Sequence, residues 1–238
     1  MNDTIFHKAA SRGLAEHGWL KSYHTFSFAN YYNPERMNFG ALRVLNDDTV
    51  AAGRGFDMHH HSNMEIISIP LEGDLEHSDS MGNKSVIKSG DIQVMSAGTG
   101  VYHSEYNKNQ DKLVKFLQIW VIPNKMNVTP RYDQITIKNI DKKNNFLEIV
   151  SPNKESSGVW IHQDAYFYLS DFDENFEAVY ELKSQKNGVY VFNLNGSITI
   201  QQTTLESRDG IAIIDNKHIN IKAKQQSSFL IMEVPLNV

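Results

Sequence analysis

Between Phe56 and Pro123 turn signals recur about every 8–12 residues, and that rhythm restricts the chain to a β-sandwich or β-barrel. Glu65–Leu71 is an apolar run that stops at Glu72-Gly73. Asp74–His77, Ser85–Lys88 and Ile92–Met95 follow, parted by the turn sequences Asp79–Lys84 and Ser89-Gly90-Asp91. Ala97-Gly98-Thr99-Gly100 puts glycines where a tight turn calls for positive φ. Val101–Tyr106 and Leu113–Ile122 complete the series; the latter is apolar at both parities, which predicts burial on both faces. Upstream, Phe39–Leu45 alternates loosely as a strand should, with Asn46-Asp47-Asp48 as its closing turn. The aromatic-rich stretch His17–Tyr32 has no helical period and reads as short strands and packed loops. Val128–Gln134 reads as a connector. Strand-like runs then resume from Phe146 to Val234, with a polar turn at Asp171–Phe176. The expected fold class is all-β.

A chain of 238 residues holds one large domain or two of about 120. A hydrophobic fraction of 40% with 21% charged residues supports a packed core. The net charge of −5 and the lack of any basic stripe argue against nucleic acid or anionic lipid as the main partner. With no cysteine, disulfides, thiolate metal sites and cysteine nucleophiles are excluded. No signal-peptide core or membrane-length apolar run is present, so a cytoplasmic location is expected.

Three of the ten histidines are consecutive, at His59, His60 and His61. On a strand, His59 and His61 share one face and His60 takes the other. His103-Ser104-Glu105 repeats the two-residue spacing on a second segment. Imidazole and carboxylate together suit first-row ions, and four protein ligands on an octahedral ion leave two positions open for substrate or dioxygen. A structural zinc site would be closed, usually by cysteines. Glu65 is the alternative carboxylate, since it shares strand parity with the first pair; Glu105 is preferred for its spacing from His103, leaving Glu65 to orient an imidazole. His77, at a turn, reads as a structural hydrogen-bonding residue. His17 and His24 read as core or loop residues, and the neighbouring rings as packing, some of them lining the pocket.

A faint internal repeat relates Ile66–Gly73 and Gly90–Val94 to Val189–Gly196 and Asp209–Ile213. Two tandem barrels explain it, with residues 1–134 as an N-terminal metal-binding domain and 135–238 as a C-terminal one. At the offsets of His59, His61 and His103 the second copy carries Leu182, Ser184 and Ala223, so it is expected to hold no metal.

Gly53–Glu65 resembles the first cupin motif, G-x5-H-x-H-x3-E, and Gly90–Glu105 resembles the second. The form ending in His103-Ser104-Glu105 is similar to the pirin family, as are His17-Gly18-Trp19-Leu20, His24–Phe28, Glu76–Asn83 and Thr129–Tyr132. The Met58-His59-His60-His61 sequence departs from relatives, which more often carry Thr or Arg before the first ligand and Pro between the two. The resemblance implies a bicupin, two jelly-roll-like barrels in tandem, with His59, His61, His103 and Glu105 holding one divalent first-row ion. Iron is the first choice; Zn, Ni, Cu, Mn and Co are the alternatives. It also implies a quercetin 2,3-dioxygenase-type activity: a flavonol is cleaved by dioxygen with release of carbon monoxide, and Glu105 is placed to take the hydroxyl proton. The other implied reading is a redox-sensing regulatory protein that acts through a protein partner. A monomer with a small aromatic substrate, and with neither nucleic acid nor membrane as direct partner, is the expectation.

Overall fold

The computed structural model describes residues 4–237. The N-terminal part forms β1 (Thr4–His7), β2 (Gly13–Glu16), β3 (Leu20–His24), β4 (Leu42–Val50), β5 (Gly55–His61) and β6 (Glu65–Glu72). It continues with β7 (Asp74–Asp79), β8 (Lys84–Lys88), β9 (Asp91–Ser96), β10 (Val101–Asn107), β11 (Val114–Val121) and β12 (Arg131–Thr136). The remaining strands are β13 (Leu147–Ser151), β14 (Val159–Trp160), β15 (Tyr166–Phe172), β16 (Glu177–Glu181) and β17 (Asn187–Asn195). Then come β18 (Ile198–Ile200), β19 (Thr203–Leu205), β20 (Gly210–Ile213), β21 (His218–Ala223) and β22 (Ser227–Pro235).

These strands build two barrels. In the first, a seven-stranded sheet in the order β12-β9-β6-β11-β4-β3-β2 faces the four-stranded β5-β10-β7-β8. In the second, β1-β20-β17-β22-β15-β13-β14 faces β16-β21-β18-β19. The first strand of the chain thus pairs antiparallel with β20, about 200 residues away, and β12 returns to pair with β9. The fold is an all-β bicupin.

The two seven-stranded sheets pack back to back, which explains the double apolar parity of β11. Leu117, Ile119 and Val121 join the inter-barrel core with Leu45, Ile67, Ile69, Phe167, Tyr190 and Leu230. On the other parity, Val114 and Phe116 pack inside the first barrel with Leu20, Val50, Leu75 and Ile87. Ile66, Met95, Ala97 and Val101 fill its opposite end. The second barrel is filled by aromatic and aliphatic side chains such as Tyr168, Phe172, Tyr180, Phe229 and Ile221. Leu182 and Ala223, the counterparts of His59 and His103, are among or against them.

Three local readings are corrected. Asn46-Asp47-Asp48 is no turn: it lies mid-strand in β4, bonded to β3 on one side and β11 on the other. Ladder pairing on both edges overrides the turn preference of Asn and Asp. Arg131–Gln134, read as connector, is strand, because β9 offers it a free edge. Asp171 and Phe172 extend β15 rather than open a turn, held by pairing with β22.

Candidate metal centre

The histidines are brought together by β5 and β10, whose antiparallel register sets His59 opposite His103 and His61 opposite Val101. Between His59 and Phe56 the pairing shifts by one residue, a bulge that turns both inward. The ring centroids of His59 and His61 lie 4.8 Å apart, those of His59 and His103 4.4 Å, and those of His61 and His103 4.9 Å. One nitrogen from each of the three lies within 4.8 Å of the others. His60 is on the opposite face, exposed and against Tyr102.

The site is built for neutral imidazoles. His59 donates from Nδ1 to the Asp57 carbonyl at 2.7 Å; a carbonyl only accepts, so the Nε2 lone pair is left free. Burial pushes His61 and His103 down to about 3, and repulsion among the neighbouring imidazoles adds to it. Both nitrogens of His103 are buried without a hydrogen-bond partner. Leaving such atoms unpaired costs about 1–3 kcal/mol each, a cost that a ligated ion relieves. The donor set therefore fits a divalent transition metal ion.

Glu105 stands beside this triad, buried, with both oxygens held. Oε1 accepts from Ser68 Oγ at 2.9 Å and Oε2 from Gln118 Nε2 at 2.6 Å. These two partners belong to a row of polar side chains that crosses the large sheet. The register aligns His24 with Asn46, Asn46 with Gln118, Gln118 with Ser68, Ser68 with Gln93, and Gln93 with Gln134. Directly opposed residues share a face, so the row lies on the inner wall of the first barrel, between its two apolar ends.

Glu105 also converges with His103 and His77, one ligand atom from each lying within 4.8 Å of the others. His77 sits on strand β7 opposite Glu105, not at a turn. It is fully buried, pairs through Nε2 with Asp79 Oδ2 at 3.0 Å and packs against Tyr132. The hydrogen-bonding role read from the sequence is there, but so is contact with the centre.

Glu65 is not a ligand candidate in this fold. Asn63, at φ +48°, breaks the strand between β5 and β6 and resets the parity. Glu65 therefore faces the inter-barrel side, where its Oε2 accepts from Ser96 Oγ at 2.6 Å and its Oε1 meets His162 Nδ1 at 3.1 Å. It does orient an imidazole, but that of the second half of the chain.

A cavity of about 190 Å³ opens over the centre, lined by His59, His61, His103 and Glu105 on one side. Opposite them stand Ser22, His24, Asn46 and Asp48, with Phe28, Phe56 and Trp120 as flat apolar surfaces. Trp120 meets His61 edge-on at 4.9 Å and Phe28 at 5.3 Å. Asn46 and Asp48 escaped sequence reasoning because they were read as a turn. Period-two alternation from Val44 to Val50 is the signal that would have found them.

A jelly-roll barrel pair with histidines on adjacent strands of one barrel defines the cupin class, here in its two-barrel form. The sequence matches the Pirin family model over residues 6–121 and the quercetinase C-terminal cupin domain model over 148–234. It is 41% identical over 228 residues to a quercetin 2,3-dioxygenase of Escherichia coli (strain K12), covering 96% of this chain and 97% of the relative. A pirin-like protein of Caulobacter vibrioides is 36% identical, over 93% of this chain and 95% of that one. The crystal structure of the bacterial pirin YhhW in complex with nickel(II), from Escherichia coli, matches with a TM-score of 0.93 at 39% identity. That match covers 99% of this chain and 100% of the other. The chain belongs to the pirin family. Among the described residues, no helix is long and apolar enough to cross a membrane.

Proposed function

We propose that this protein is a metal-dependent dioxygenase that cleaves a flavonol of the quercetin type with dioxygen, releasing carbon monoxide. The observation that carries this reading is three imidazoles converging beside a buried carboxylate at the wall of a cavity. In this reading His59, His61, His103 and Glu105 are the ligands of one divalent first-row ion, iron first. A bound ion supplies Lewis acidity that lowers the pKa of a flavonol 3-hydroxyl and brings dioxygen and substrate together. The residues of the chain do the rest. Phe28, Phe56 and Trp120 offer faces and edges on which an aromatic ring packs while water is excluded. Ser68 and Gln118 hold Glu105 in place beside the imidazoles, where it takes the proton of the substrate hydroxyl. A cytoplasmic, monomeric protein without direct nucleic-acid contact belongs to the same reading.

The test is flavonol consumption and carbon monoxide release per bound metal, with Fe, Mn, Co, Ni, Cu and Zn each loaded in turn. His59→Ala and His103→Ala should lose stoichiometric metal. Glu105→Gln, compared at equal metal content, should lose at least about tenfold in turnover, roughly 1.4 kcal/mol of barrier. No turnover with any of these ions would overturn the enzymatic reading in favour of a regulatory binding protein.

A further inference from the structure

The wall of the cavity that faces the imidazoles is polar, and no step of the reaction above uses it. It is made by β3 and β4, where the register sets Ser22 opposite Asp48 and His24 opposite Asn46. All four side chains line the cavity and all are buried, Asn46 at 2% exposure and Asp48 at 4%. Asn46 Oδ1, Asp48 Oδ1 and His24 Nδ1 are buried with no hydrogen-bond partner in the protein. The middle of a barrel wall is where apolar residues stabilise most, and β4 does place Val44 and Val50 on either side of the pair. Three such atoms on one face of one cavity are poorly placed for stability and well placed to meet a ligand.

The chemistry of those atoms defines what they meet. An amide oxygen accepts only, and a carboxylate oxygen accepts unless it is protonated. Asp48 is pushed up to about 7, first by its burial, while the Ser22 hydroxyl works against the shift and Asp47 and Glu105 add to it. Asn46 Oδ1 therefore takes a hydroxyl donor, and Asp48 meets a hydroxyl as acceptor when ionised and as donor when protonated. Resting on the flavonol reading above, we infer that Asn46 and Asp48 are the specificity-determining residues of this cavity. They hydrogen-bond to hydroxyl groups, which can both donate and accept, on the edge of an aromatic substrate remote from the edge that meets the histidines. The preferred substrate class is then a polyhydroxylated aromatic with oxygen functions at both ends. A ring bearing only a chelating hydroxyl and carbonyl is rejected, because it leaves the wall unpaired.

Two probes separate the two edges. Quercetin carries both sets of oxygens, whereas 3-hydroxyflavone keeps the chelating 3-hydroxyl and 4-carbonyl and lacks the other hydroxyls. Binding of each is measured to the nickel-loaded full chain under nitrogen, by quenching of tryptophan fluorescence, so that turnover plays no part. Wild type should bind quercetin at least tenfold more tightly than 3-hydroxyflavone. Asn46→Leu and Asp48→Leu should each shrink that ratio to threefold or less while leaving the affinity for 3-hydroxyflavone within twofold. Asp48→Asn, which keeps an acceptor oxygen, should retain most of the ratio. If Asp48→Leu does not fold, Asn46→Leu carries the test alone. An unchanged ratio in Asn46→Leu overturns the inference, and so does a parallel loss of both ligands. Failure here alongside carbon monoxide release by wild type leaves the dioxygenase reading standing. A wall-dependent ratio without carbon monoxide release does the reverse. Neither flavonol binding to wild type overturns both.

Discussion

Replacing Gln118 by Met removes one hydrogen bond to Glu105 at almost constant side-chain length. The amide Nε2 donates to Glu105 Oε2 at 2.6 Å, and both residues are buried. A carboxylate has about four lone-pair sites, so the bonds from Gln118 and Ser68 leave sites free for an ion and persist when it binds. A hydrogen bond to a charged group is worth about 1.5–3 kcal/mol, and loss of a partner that orients a metal ligand costs roughly 10–100-fold in affinity. The two scales agree, since about 1.4 kcal/mol is tenfold. Gln118→Met should therefore weaken nickel binding about 10–100-fold, measured by competition with a chromophoric chelator at pH 7. Ser68 Oγ still holds Oε1 at 2.9 Å, so binding should be weakened and not abolished. The double variant with Ser68→Ala should fall further. A correctly folded Gln118→Met protein whose nickel affinity stays within twofold of wild type would refute the role given to this amide.

His60→Ala should leave metal stoichiometry unchanged, because His60 is exposed on the opposite face of β5; elemental analysis decides it. Gly98→Ala forces a left-handed residue, at φ +45°, to carry a Cβ that runs into the Val128 carbonyl. It should cost at least about 1–2 kcal/mol, lowering Tm by about 2–4 °C per kcal/mol in calorimetry. His7 is buried against Tyr190, and desolvation, with Arg36 adding to it, lowers it from 6.5 to about 4. The unfolded chain then binds the proton first, so stability falls as pH drops from about 6.5 towards 4. Urea unfolding should show wild type losing about 2–3 kcal/mol more than His7→Gln between pH 7 and 4.5. Parallel losses in the two proteins would exclude His7 as the source.

The histidine core of the centre was legible because its signal is local. Two-residue spacing on one strand fixes a common face, whatever the strand later pairs with, and this holds for His59 and His61 as for His103 and Glu105. The class of fold was legible for a similar reason, from the recurrence of turns. What depends on register was not. The row His24, Asn46, Gln118, Ser68, Gln93 and Gln134 spans six strands, and no local pattern ties its members together. Parity arguments across a break failed as well. The inference that Glu65 faces with His59 assumed one continuous strand, and Asn63 ends it. Contacts over long separations, such as β1 with β20 or His162 with Glu65, lie beyond any local reading.

The Asn46–Asp48 error points to where function resides. Read by turn preference, the triplet ends a strand. Read by alternation, Val44, Asn46, Asp48 and Val50 form one face, with Asn and Asp where apolar residues would stabilise more. The two readings conflict because local propensity and tertiary placement conflict, and a packed barrel has no structural need of the polar pair. Ser68 and Gln118 share the same interior, yet their polarity is consumed by Glu105. Asn46 Oδ1 and Asp48 Oδ1 have no such partner in the protein. A propensity violation that is also unpaired and open to a cavity marks a ligand contact, since an interior kept only for stability would have replaced it.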